Sequence, residues 1–204
     1  MTFARSSHRP LAPAAVALAA MFGTAACSDA PQELTSPVMS AAPAPAVAPL
    51  VYEVPGTWTK LGETSLGNKR AGYKVPKAGS DTEDAELTVF FYGTGSQGDP
   101  DKSFKEWFDQ FDGNAAAAAE RRSLDSPAGK VDIIDVAGTY KVPLGPAVGP
   151  RKKSPMQMVK EKWRLYGAVV RTKDRGNWFF KLVGPDETVQ AARSGLEAAL
   201  QAAK

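Results

Sequence analysis

The chain of 204 residues has one cysteine, Cys27, and one histidine, His8. A lone thiol excludes an intrachain disulfide framework. His8 lies in the first 26 residues, which read as a cleaved secretory signal. The mature chain then has no histidine and cannot build the common zinc sites or a histidine-based triad. Long apolar runs are also missing: Leu11 to Phe22, interrupted by Pro13, gives about twelve residues, too few to span a bilayer. A dominant charge sign is absent too. Lys and Arg total 25 against 22 Asp and Glu, and Arg5 and Arg9 leave with the signal, so the mature chain is close to neutral. That gives a nucleic-acid role no global electrostatic support.

What is present begins at the front. Arg5 and Arg9 form a positive n-region, Leu11 to Phe22 an apolar h-region, and Gly23-Thr24-Ala25-Ala26 a run of small residues before Cys27. Thr24 to Cys27 resembles the lipobox of bacterial lipoproteins, departing from it at Thr24, where leucine is usual. The resemblance implies lipidation of Cys27 by diacylglycerol, and two or three acyl chains anchor stably where one does not. The other reading is an ordinary signal cut after Ala26, which leaves an unpaired thiol in an oxidising compartment. Ser28 follows the cysteine in place of the Asp that would imply inner-membrane retention, so an outer membrane is favoured. Residues 27–50 then read as the acylated cysteine and a disordered, semi-extended tether, alternating Pro and Ala without bulky apolar residues.

Residues 51–204 are expected to form a single domain with one core. Val51 to Val54, Thr57 to Leu61 and Gly72 to Pro76 are short extended candidates. Ala85 to Tyr92 is the best early strand, with Leu87, Val89 and Phe91 on one face. Ser103-Phe-Lys-Glu106 reads as a capping box. Phe104, Trp107, Phe108 and Phe111 then form a helical stripe stopping near Gly113, while Ala115 to Ala119 can extend the helix or connect. Arg121 to Leu124 and Lys130 to Tyr140 predict a strand pair. Val142 to Val159, rich in Gly and Pro, predicts an irregular loop. Trp163 to Thr172 and Asn177 to Gly184 flank Lys-Asp-Arg-Gly176 as a β-hairpin at the centre of the sheet. Pro185 is expected at the first position of a closing helix striped by Val189, Ala192, Leu196 and Leu200. The order predicts an α+β fold, a mostly antiparallel sheet flanked by helices.

The constellations point away from chemistry. Gly93-Thr-Gly95-Ser-Gln-Gly98 matches G-x-G-x-x-G. A cap at Ser103 sets Gly98 apart from the helix start, and Asp99 and Asp101 put carboxylates where phosphates would lie, so the stretch reads as a loop. Asp132 and Asp135, three apart on one strand, face opposite ways and make no acid–base dyad. The residues Arg151, Lys152 and Lys153, followed by Lys160, Lys162 and Arg164, form the densest basic cluster. With Lys173 and Arg175 in the hairpin turn they are the candidate interaction surface, suited to anionic lipid or an acidic partner, or else simply solvated. Trp163, Tyr166, Trp178, Phe179 and Phe180 read as core rather than as the wall of a ligand groove.

The tryptophan-containing strand, the polar turn, Trp178-Phe-Phe-Lys-Leu-Val-Gly-Pro185 and the closing helix resemble the end of the PsbP/Mog1-like α/β/α sandwich, over residues 52 to 203. They are most similar to small bacterial lipoproteins that share this run. The resemblance implies a binding or assembly accessory, and it carries over no catalytic, cofactor-binding or metal-binding residue. The sequence is therefore read as a non-enzymatic envelope lipoprotein held to the membrane by lipid, facing the periplasm or exterior, with an envelope protein partner and no nucleic acid. The alternative is a periplasmic small-ligand-binding lipoprotein.

Overall fold

The computed structural model describes residues 48–62, 67–93, 98–144 and 156–204. Cys27, the signal and residues 27–47 lie outside the described residues, as do Arg151, Lys152 and Lys153. The elements are β1 (Thr59–Lys60), β2 (Lys69–Val75), β3 (Ala85–Phe91), α1 (Pro100–Phe108), α2 (Ala115–Ala118), β4 (Glu120–Ser126), β5 (Gly129–Leu144), β6 (Met156–Thr172), β7 (Asn177–Pro185) and α3 (Asp186–Gln201). Among the described residues seven strands form one sheet, ordered β1-β2-β3-β7-β6-β5-β4, and every neighbouring pair is antiparallel. The fold is α+β. Two meanders meet where β3 pairs with β7, and α1 and α2 carry the chain from the middle of the sheet to its far edge.

Strand alternation feeds two apolar layers. Trp178, Phe180 and Leu182 of β7 pack with Val189, Leu196 and Leu200 of α3 on one face. Phe179 faces the other way, with Phe104, Trp107 and Phe108 of α1. A strand covered on both faces needs no polar alternation, which accounts for the unbroken Trp-Phe-Phe run. Gly167 on β6 lies under α1: a Cβ there would stand 2.5 Å from Trp107 Cζ3, so only glycine admits the indole. The β6–β7 turn closes through Gly176 at φ +78°, a conformation that favours glycine.

Several boundaries differ from expectation. α1 begins at Pro100, and Asp99 caps it by accepting the Asp101 N–H at 2.9 Å. The expected box at Ser103 and Glu106 is not the cap; Ser103 is buried within the helix. Proline preset for the first helical position, behind a strong Asp cap, starts the helix one turn earlier. Pro185 is itself the cap of α3, and Asp186 opens that helix. Ala115–Ala118 is a short helix capped by Asn114. Leu50, expected to end the tether, is buried in the core, and Val51 exchanges both backbone hydrogen bonds with Lys204.

The expected loop over Val142 to Val159 is strand at both its ends, and residues 145–155 lie outside the described residues. β5 continues to Leu144 and β6 starts at Met156, with Pro143 opposite Gln157. β4 stops pairing at Asp135 and β7 stops at Trp163, so beyond those points β5 and β6 form a two-stranded ribbon past the sheet. A proline is tolerated there because an edge strand can spare one N–H. At the ribbon's root Gly138 pairs with Trp163 and Tyr140 with Lys160, so Glu161 and Lys162 stand against Thr139 alone. This is a β-bulge, with Lys162 at φ +54°. It shifts the alternation and puts Lys160 on the same face as Trp163.

Candidate interaction surface

Of the expected basic surface the described residues include Lys173 and Arg175 and not Arg151, Lys152 or Lys153. Lys173 and Arg175 sit in the turn after β6, Lys173 exposed and Arg175 half-buried against Asp174 at 3.6 Å. The hairpin aromatics are core: Tyr166, Phe179 and Phe180 are fully buried and Trp178 nearly so, while Trp163 is half-buried. Asp132 and Asp135 do face opposite ways, Asp132 to Arg171 and Asp135 to Arg164 and Arg193. Of the glycine-rich stretch, residues 94–97 lie outside the described residues. The Gly98 carbonyl accepts from Asn177 Nδ2 at 2.7 Å. Gly98 does stand next to the helix start, contrary to expectation, but the Asp99 carboxylate occupies the N-terminal N–H position a phosphate would need.

On the α3 face the sheet carries a charge network. Asp135 contacts Arg164 Nη1 at 2.7 Å and Arg193 Nη1 at 2.8 Å, and Arg164 Nε reaches Asp186 at 2.6 Å. Nearby, Tyr166 donates to Glu197 at 2.7 Å, Arg122 pairs with Glu197, and the Arg122 and Arg193 guanidiniums lie 5.7 and 5.4 Å from the Tyr166 ring centre. Burial pushes the Glu197 carboxyl up, but hydrogen bonds from Arg122 and Tyr166 outweigh it and hold the group below its ordinary value. Burial and the bond to Glu197 push the Tyr166 phenol well above its usual range. Three arginines meet three carboxylates, so the network ties α3 to the sheet and leaves no charge over for a ligand.

The opposite face differs. At the root of the ribbon the rings of Tyr140 and Trp163 stack at 5.5 Å and 9°, with Phe111 5.1 Å from Tyr140. Lys160 Nζ lies 5.4 Å from the Trp163 ring and 2.7 Å from both Glu83 oxygens. Lys181, from the centre of β7, donates to Gln110 Oε1 at 2.6 Å and to Tyr140 Oη at 3.2 Å. Tyr140 donates to the same Gln110 oxygen at 2.8 Å. Burial lowers the Lys181 ammonium to about 8 and raises the Tyr140 phenol to about 12. Beyond this root the ribbon exposes Met158 (41%) and Val159 (54%), two of the three large apolar side chains exposed among the described residues.

The sequence reading passed over Lys181 and Tyr140. The available signal was one lysine interrupting an otherwise apolar strand, Trp-Phe-Phe-Lys-Leu-Val. Clefts of about 260, 310 and 340 Å³ ring α1; the first is lined by Arg121, Asp132 and Arg171, the second by Tyr92, Lys102 and Glu106. Among the described residues no group of three or more His, Cys, Asp or Glu could hold a metal, and no helix is long and apolar enough to cross a membrane. No protein-family model matches the chain, and comparison with curated proteins and with solved structures finds no match either.

Proposed function

We propose that this chain is a cell-envelope lipoprotein, anchored through Cys27, whose PsbP/Mog1-like domain is a non-enzymatic binding or assembly module. The observation that carries the reading is the β5–β6 ribbon, which leaves the sheet with Met158 and Val159 exposed at its side. Among the described residues this strand pair presents apolar side chains and, along β6 before Trp163, a backbone edge that no other strand pairs, both of which serve partner strands and surfaces. Lys162, exposed at the ribbon's root, favours an envelope protein with an acidic surface. The signal residues, Cys27 and the Pro/Ala tether support a lipid anchor that leaves the domain free to reach such a partner.

A photo-crosslinking residue at Val159 of the full chain, in membranes, tests this. One discrete adduct at position 159, missing at the control position Lys173 and lost with Met158→Asp, is the expected result. Equal adducts at both positions, or a bound metabolite with no adduct, would replace the assembly role with the small-ligand reading. The anchor is checked separately: Cys27→Ser should move the protein out of the membrane fraction, and unchanged fractionation would end that part of the proposal.

A further inference from the structure

Lys181 is out of place as a structural lysine. Four lysines of the strands meet a carboxylate: Lys69 with Glu86, Lys74 with Asp84, Lys141 with Asp112, Lys160 with Glu83. Lys181 has neutral partners, Gln110 and Tyr140, and makes no salt bridge among the described residues. The groups facing it from each neighbouring element explain this. On β3, Thr88 is its cross-strand partner, and Glu86 is engaged by Lys69 at 3.2 Å and by the Thr88 hydroxyl at 3.0 Å. On β6 its partner is Gly167, which has no side chain. Gln110 follows α1, and Tyr140 comes from β5. The amine is thus held by two oxygens that do not require its positive charge, beside the Tyr140–Trp163 stack, and the residue is only half-buried.

We propose that Lys181 is a nucleophilic amine site that captures small apolar aldehydes as imines, with Tyr140 carrying the proton. The lysine nitrogen attacks the carbonyl carbon, forming the C–N bond as the carbonyl π bond breaks, and one proton passes from nitrogen to the oxygen. Tyr140 gives that oxygen a second proton and it leaves as water. The phenolate then takes the remaining proton from the iminium nitrogen, so amine and aldehyde become imine and water. The half-buried Trp163 ring, held in place by its stack on Tyr140, supplies the apolar surface for the aldehyde's carbon chain. An amine near pKa 8 is neutral in about one molecule in ten near pH 7, against fewer than about one in a thousand for a solvent-exposed lysine.

Competitive labelling of the full chain tests the site. The protein is treated with butanal and a mild hydride donor near pH 7, and the peptides are mapped by mass. Lys181 is expected to be alkylated about tenfold faster than the exposed Lys102 and Lys173, part of the neutral-fraction advantage being lost to half-burial. Its rate should pass its midpoint near pH 8 and level off above about pH 9, while theirs keep climbing. Tyr140→Phe, which keeps the ring stack, should slow Lys181 and leave Lys173 unchanged. Labelling of Lys181 no faster than Lys173 from about pH 6 to 9, or a rate indifferent to Tyr140→Phe, would overturn the site or the proton carrier respectively.

Discussion

Asp135 is buried with its side chain 2% exposed, between Arg164 Nη1 at 2.7 Å and Arg193 Nη1 at 2.8 Å. Its Oδ1 is hydrogen-bonded, whereas Oδ2 has an ion-pair contact without hydrogen-bond geometry. Removing the carboxylate leaves two guanidiniums close together beneath α3 with half their compensation gone. Asp135→Ala is therefore expected to cost about 3–5 kcal/mol, read as a lower urea midpoint at unchanged slope. Glu197 gives the pH dependence. Its folded pKa lies below the ordinary value of 4.5, so its contribution to stability is full above that value and fades as pH falls through the folded pKa. Acid titration of the folding midpoint should show wild type losing more stability below about pH 4 than Glu197→Gln does. The opposite facing of Asp132 and Asp135 was legible because strand parity is local. Their arginine partners, 29 to 58 residues away along the chain, were not.

Among the elements, β6 shows best how far pattern reading reaches. Its paired half, Trp163 to Thr172, announces itself by aromatic and β-branched residues and by Gly176. The other half, Met156 to Lys162, hid behind a glycine- and proline-rich sequence that marks a loop when read locally, although Pro143 of that stretch sits on an edge that tolerates it. The bulge was also hidden, because only pairing with β5 reveals two residues against one. Lys162 carries it at φ +54° with its side chain exposed. Glycine in a regular strand weakens it, yet here Lys162→Gly should be neutral or stabilise by up to about 1 kcal/mol, since the left-handed strain disappears. Thermal melting of that variant beside Lys160→Gly, which lies in regular pairing, should give opposite signs. The caps tell a similar story: Ser103-x-x-Glu106 fits the capping pattern, but Pro100 behind Asp99 outranks it.

At the scale of the whole molecule the two ends of the domain close on each other. Val51 and Lys204 exchange hydrogen bonds at 2.9 and 3.0 Å, the Ala128 N–H donates to the Ala203 carbonyl at 3.0 Å, and Ala203 is fully buried. Deleting Ala202 to Lys204 removes all three bonds and that burial. A loss of about 2–4 kcal/mol is expected, with amide exchange at Val51 and Ala128 accelerating before the centre of the sheet does. Equal acceleration throughout would show that the terminal clasp is not a separate unit.

This sequence by itself determined the strands with clear alternation, the hairpin of β6 and β7, the apolar stripes of α1 and α3, and the α+β class, because periodicity and turn chemistry act over a few residues. Tertiary structure alone decided the joining of two meanders through β3 and β7, the extension of β5 and β6 into a ribbon, and the neutral hydrogen-bond partners of Lys181. Those depend on which distant residues come into contact: Glu86 is taken by Lys69, and Gly167 makes room for Trp107, so a lysine that looks like a solvated charge in sequence stands without a carboxylate partner in the fold.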